Sequence, residues 1–227
     1  MPEVYEVIKS LKANGSAPDL GPVADASAAS GKNGAYIVIA LSFNLPSYIK
    51  VSTSREITFD SKLDVDGDVV SYEGAEVGRV TERKSVYDVK VDTSFDIKYI
   101  GGYSTDGRTI YLDRDFPKTL NINGKEVDCV ESIAKHHELT EKWMVGEGYT
   151  YQYAHIIANK IEREYVESLG VDWSEYDKEV RKYIHQIFSK TLSASPPDLD
   201  LAPYSESKDT EALHEIRDST QQTEQTY

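Results

Sequence analysis

Cysteine is almost absent from this chain: Cys129 is the only one in 227 residues. A lone thiol forms no intrachain disulfide, which excludes a disulfide-stapled scaffold and points to a reducing, cytoplasmic setting. Long apolar runs are missing as well. Nothing approaches the roughly 18–20 residues of a membrane-spanning helix. The N-terminal stretch MPEVYEVIKSLKANGSAPDL has no basic segment followed by an apolar one, so neither a membrane partner nor a signal peptide is expected. Positive charge is scarce: 25 Lys and Arg stand against 39 Asp and Glu, a formal charge of −14, and no local basic patch occurs. Such a surface repels a polyanion, so nucleic acid is not an expected partner. High acidity keeps a chain soluble and remains compatible with a cationic ligand or a metal. Phe and Trp are few, 5 and 2, whereas Tyr reaches 16, which suits a modest core edged with amphipathic aromatics.

What is present falls into three textures. Residues 1–34 include KANGSAPDLGPVADASAASGKNG, rich in Ala, Ser, Gly and Pro without a period of 2 or 3.6, and read as a flexible arm. The preceding VYEVIKSLK has the length of one or two helical turns. From 35 to 125 short β-branched or aromatic segments alternate with turn residues: AYIVIALSF, YIKVST, VYDVKVD and TIYLD, separated by Asp66-Gly67, Glu73-Gly74 and Ser104-Thr105-Asp106-Gly107. This predicts a mostly antiparallel β region. From about 126 to 192 the period becomes 3.6, with three helices expected over about 128–145, 150–169 and 173–192. Gly170 reads as a C-cap of the second, and Asp172 or Ser174 as an N-cap of the third. The fold class is therefore α+β, a single domain over 35–192. After Ser195-Pro196-Pro197 the chain turns polar and acidic, so 193–227 reads as a largely disordered tail with a short helix near 208–217.

The stretch Lys135-His136-His137-Glu138-Leu139-Thr140-Glu141 carries the chemistry. At about 100° per residue, His137 and Glu141 join Val130, Ile133, Ala134 and Met144 on one stripe, while His136 and Leu139 point elsewhere. A glutamate on a buried face is costly unless a cation or donor meets it. The i, i+4 spacing lets both side chains share one ion. On the second helix, His155 and Glu162 lie on one edge of the stripe formed by Ala154, Ile157, Ala158, Ile161 and Tyr165. Either can point into a cleft between packed helices. A His, Glu, His set of His137, Glu141 and His155 is the richer in nitrogen and suits zinc, leaving Glu162 as an alternative ligand or a group behind the ligands. Cys129, among Val127 and Val130, reads as a buried structural thiol. His185 and His214 read as packing or solvated residues, Asp64 to Asp68 as a β-turn lacking a calcium loop, and Gly101-Gly102 as a turn or bulge.

His137-Glu138-Leu139-Thr140-Glu141 is an HExxE sequence that resembles the HExxH signature of the zincin metallopeptidases, with glutamate in place of the second histidine. The resemblance covers about residues 95–170. It implies a zinc ion, a metal-bound water, Glu138 as general base and a peptide or protein substrate. It also implies that the strand holding Tyr111 is the edge strand that receives the substrate, and that a tyrosine such as Tyr151 or Tyr153 stabilises the oxyanion. In gluzincin-type members a downstream glutamate supplies the third ligand, which would favour Glu162. The replaced histidine makes a bound water less acidic and shifts preference toward a harder metal. Two other readings stand beside it: a non-catalytic structural or binding protein with a structural metal or a degenerate peptidase fold, and a metal-dependent hydrolase of non-peptide bonds.

Overall fold

The computed structural model describes residues 3–6, 34–42, 45–55 and 63–224. The chain is α+β, and it divides into two compact units, Met1–Val86 and Tyr87–Tyr227, rather than the single domain expected over 35–192. Most of the proposed N-terminal arm lies outside the described residues. Glu3–Glu6 is a strand, not a helical turn.

The first unit is a six-stranded sheet built from β1 (Glu3–Glu6), β2 (Gly34–Ser42), β3 (Leu45–Thr53), β4 (Leu63–Asp66), β5 (Val69–Tyr72) and β6 (Ala75–Ser85). The order is β1-β2-β3-β6-β5-β4, antiparallel except for the β1–β2 pair. Two short turns fold its C-terminal half, as the sequence predicts. At Glu73-Gly74 both residues have positive φ, 55° and 77°, the geometry that matches the twist of a two-residue hairpin.

The second unit carries everything that follows. Strands β7 (Lys90–Asp92), β8 (Gly101–Tyr103) and β9 (Thr109–Leu112) form a sheet in the order β7-β9-β8, and β10 (Thr119–Ile122) pairs with β11 (Lys125–Asp128) in a hairpin. Helix α1 has a π-wound segment, Val130–Glu138, continued by an α segment, Leu139–Gly146. Next come α2 (Tyr151–Ser168), α3 (Trp173–Phe188), α4 (Ala202–Glu206) and α5 (Thr210–Glu224). Asp172 caps α3 by accepting the Glu175 N–H, and Gly170, at φ 73°, ends the turn after α2. Both follow the expected cap chemistry. No helix among the described residues is long and apolar enough to cross a membrane.

The segment expected to be a disordered tail is instead part of the core. Leu199, Tyr204, Ala212, Leu213 and Ile216 are buried with Ile97, Tyr111 and Leu192. Leu199 bridges Ser104 beside β8, and the Asp200 N–H donates to the Tyr103 carbonyl at 2.8 Å. Lys98 ties the arrangement together. Its buried ammonium donates to the Phe188 and Lys190 carbonyls, both at 3.0 Å, at the end of α3, and pairs with Glu215 of α5 at 2.7 Å. The acidic composition misled because the few apolar side chains of this segment are nearly all buried against Ile97, Tyr111 and Leu192.

Candidate metal centre

Asp128 Oδ1 accepts from the Val130 N–H at 2.8 Å and satisfies the start of α1. The Leu139 N–H then bonds the Ala134 carbonyl, five residues back. Such winding is rare and recurs at functional sites. Here it takes the helix out of the 100° projection. α1 lies against β8 and β9 on one side and α2 on the other. His136 and Leu139, expected to face away, are therefore fully buried. The His136 ring stacks on Tyr165 at 4.0 Å, and its Nδ1 donates to the Glu131 carbonyl at 2.6 Å.

His137, Glu141 and His155 converge. His137 Nε2 lies 3.2 Å from His155 Nδ1 and 3.4 Å from Glu141 Oε2, and His155 Nδ1 lies 3.0 Å from Glu141 Oε2. The three donor atoms form a nearly regular triangle, and the group could hold a metal ion. Bond lengths of about 2.0–2.1 Å in a tetrahedral zinc site put ligand atoms about 3.3–3.4 Å apart, so the triangle needs little adjustment. Two imidazoles and one carboxylate also leave an open fourth position.

Glu162, the alternative ligand, sits behind this triangle. Its Oε2 accepts from His137 Nδ1 at 2.9 Å, and its Oε1 accepts from the Tyr176 hydroxyl at 2.8 Å. Ser132 Oγ lies 2.8 Å from that hydroxyl. The chain Ser132–Tyr176–Glu162 thus holds an N–H at His137 Nδ1 and points Nε2 toward Glu141 and His155.

Glu138 follows His137 and is 9% exposed. Burial, then the negative charge of Glu141, pushes its carboxyl up to about 8, against the opposing pull of His137. Burial disfavours charge on His137. Its hydrogen bonds to Glu141 and Glu162, with the fields of Glu162 and Glu138, outweigh this and hold its pKa well above the usual value. Glu141 is opposite: burial raises its pKa, but bonding to His137 and His155 brings it below the ordinary carboxylate value. The carboxylate of Glu138 lies over Gly101, where a Cβ would come within 2.2 Å of Oε1. The glycine read as a turn is thus a seat for the glutamate. Just before it, Tyr99 and Ile100 both have positive φ, 67° and 95°. For a β-branched residue such strain persists only where the surroundings impose it, and it clusters at functional sites.

These residues line a cleft of about 380 Å³. Tyr151 lines it too, with its ring 5.8 Å from that of His155. Tyr153 does not: it is 36% exposed and leans on Tyr149 at 5.6 Å. Tyr111 is also displaced from its expected place. Its strand β9 is paired on both sides, so it is the centre of the sheet and not an edge. The Tyr111 hydroxyl donates to Asp198 at 2.5 Å. The edge beside α1 is β8. Cys129 is fully buried, with its thiol pushed up to about 12 by burial, whereas His185 and His214 are exposed and outside the cleft.

No protein-family model matches the chain, and no curated protein or solved structure matches it.

Proposed function

We propose that this chain is a metal-dependent hydrolase, a zincin-like metallopeptidase using zinc. The observation that carries the reading is the triangle of His137, Glu141 and His155 donor atoms with a buried carboxyl, Glu138, beside it in an open cleft. When bound, the ion supplies a Lewis acid that makes water nucleophilic near neutral pH. The chain's residues do the rest. Glu138 takes the proton of the attacking water and returns it to the leaving amine, a role that suits a buried carboxyl on the residue beside the ligand His137. Glu162 and Tyr176 hold His137 in one tautomer. Tyr151 is the remaining oxyanion candidate.

The substrate would add to β8. Ile100 and Ser104 turn their backbone bonds toward β9, and Tyr103 turns its carbonyl the other way, to Asp200. Gly101 shares the parity of Tyr103, so its N–H and C=O face the open edge at the cleft. An extended peptide pairing there would bring a carbonyl beside Glu138.

The test joins metal analysis of untagged protein to a chelator-sensitive peptide-cleavage assay. Zinc at one equivalent, cleavage by the wild type, and loss of cleavage but not zinc in Glu138→Gln are expected. Full zinc stoichiometry in His137→Ala would remove the centre from these residues. Zinc without cleavage of any peptide would favour a structural ion.

A further inference from the structure

Two buried side-chain hydroxyls among the described residues have no hydrogen-bond partner, and one of them, on Tyr103, belongs to a residue lining the cleft. Tyr103 is 1% exposed. An unmade bond in a dry place costs about 1–3 kcal/mol, so an orphaned phenol in a cleft wall calls for a partner that arrives later.

Strand geometry says where the phenol lies. Residues two apart on a strand point to the same face, so Tyr103 leaves β8 on the side where Gly101 meets Glu138. The side chains then run along α1 together. Lys142 lies over the Tyr103 ring, its ammonium 4.8 Å from the centroid, and Lys142 is itself held by Asp200 at 3.0 Å. The ring therefore stands against the turn of α1 that carries Glu141 and Lys142. Burial raises the pKa of the phenol, and the carboxylates of Glu141, Glu138 and Asp200 raise it further. Glu141 itself turns Oε2 to both histidines, leaving Oε1.

We infer that Tyr103 is a positioning residue for the metal centre, its hydroxyl donating to Glu141 Oε1 when the ion draws Oε2 into coordination. This rests on the reading of His137, Glu141 and His155 as ligands. The bond holds the carboxylate to one-oxygen ligation and keeps the fourth position open. Carboxylate ligands are commonly fixed this way, and loss of the partner costs about 10- to 100-fold in metal affinity.

Tyr103→Phe removes only the oxygen. Zinc affinity is measured by competition with a chromogenic chelator, and stability of the metal-free protein by urea unfolding. Zinc binding at least about tenfold weaker is expected, with metal-free stability unchanged or raised because the orphan is gone. In a Glu141→Ala background the same substitution should leave zinc affinity unchanged. Equal zinc affinity in wild type and Tyr103→Phe would overturn the assignment and leave the centre standing. Loss of metal-free stability would also overturn it, marking the hydroxyl as a fold element. Absence of zinc binding by the wild type would remove the centre and this role with it.

Discussion

At the scale of single residues, Glu138 and His137 make the metal-free protein sensitive to pH. The folded chain holds the Glu138 proton to about pH 8, whereas an ordinary glutamate releases it near 4.5. Between those values the native state binds more protons than the unfolded one, so stability falls as pH rises through the window. His137 is raised well above 6.5 and acts in the same direction, its contribution being lost as pH rises beyond 6.5. Glu141, lowered, acts oppositely and withdraws its stabilisation in acid. Urea unfolding of chelator-treated protein should show wild-type stability dropping from pH 5 to pH 8. Glu138→Gln, which never ionises, should lose less, so the variant gains on the wild type as pH rises. An identical slope in both would mean that Glu138 ionises normally. The same histidine predicts that zinc affinity weakens in acid, since ligands must shed protons to bind.

At the scale of elements, the Lys98 clamp joins the C-terminus of α3 to α5. The Lys98 side chain is 5% exposed, and its ammonium meets two carbonyls and the Glu215 carboxylate. Cations at a helix C-terminus are favourable, but a buried one stripped of its counter-ion is not. Glu215→Ala should lower stability by about 3 kcal/mol, read as a shift of the urea midpoint at constant slope. The double variant Glu215→Ala, Lys98→Met should recover part of the loss. The π winding of α1 belongs to this scale too. It makes both faces of the KHHELTE stretch useful, one histidine turned to Tyr165 and the next to the cleft.

At the scale of the whole molecule, every residue of the candidate centre lies in the unit Tyr87–Tyr227. A chain of residues 87–227 should therefore bind zinc with the affinity of the full chain, measured by the same chelator competition. Ending the chain at residue 195 should abolish it. That deletion removes Leu199, Tyr204 and Ile216 from the core and uncovers the edge of β8 at Tyr103. Retained zinc affinity in the shortened chain would show that the C-terminal helices do not support the centre.

The α+β class, the bounds of α1 and α2 and the start of α3, the hairpin turns and the pairing of His137 with Glu141 were legible in the sequence. All of these rest on short-range physics: side-chain periodicity, caps such as Asp172 and Gly170, and residues one helical turn apart. Which of His155 and Glu162 joins the triangle depends on how α2 is rotated against α1, and packing alone sets that rotation. The centrality of β9, the seat of Glu138 on Gly101 and the ordering of 199–216 likewise come from pairings between distant segments. A local pattern carries no record of those contacts, because their energies arise only once the chain has closed on itself.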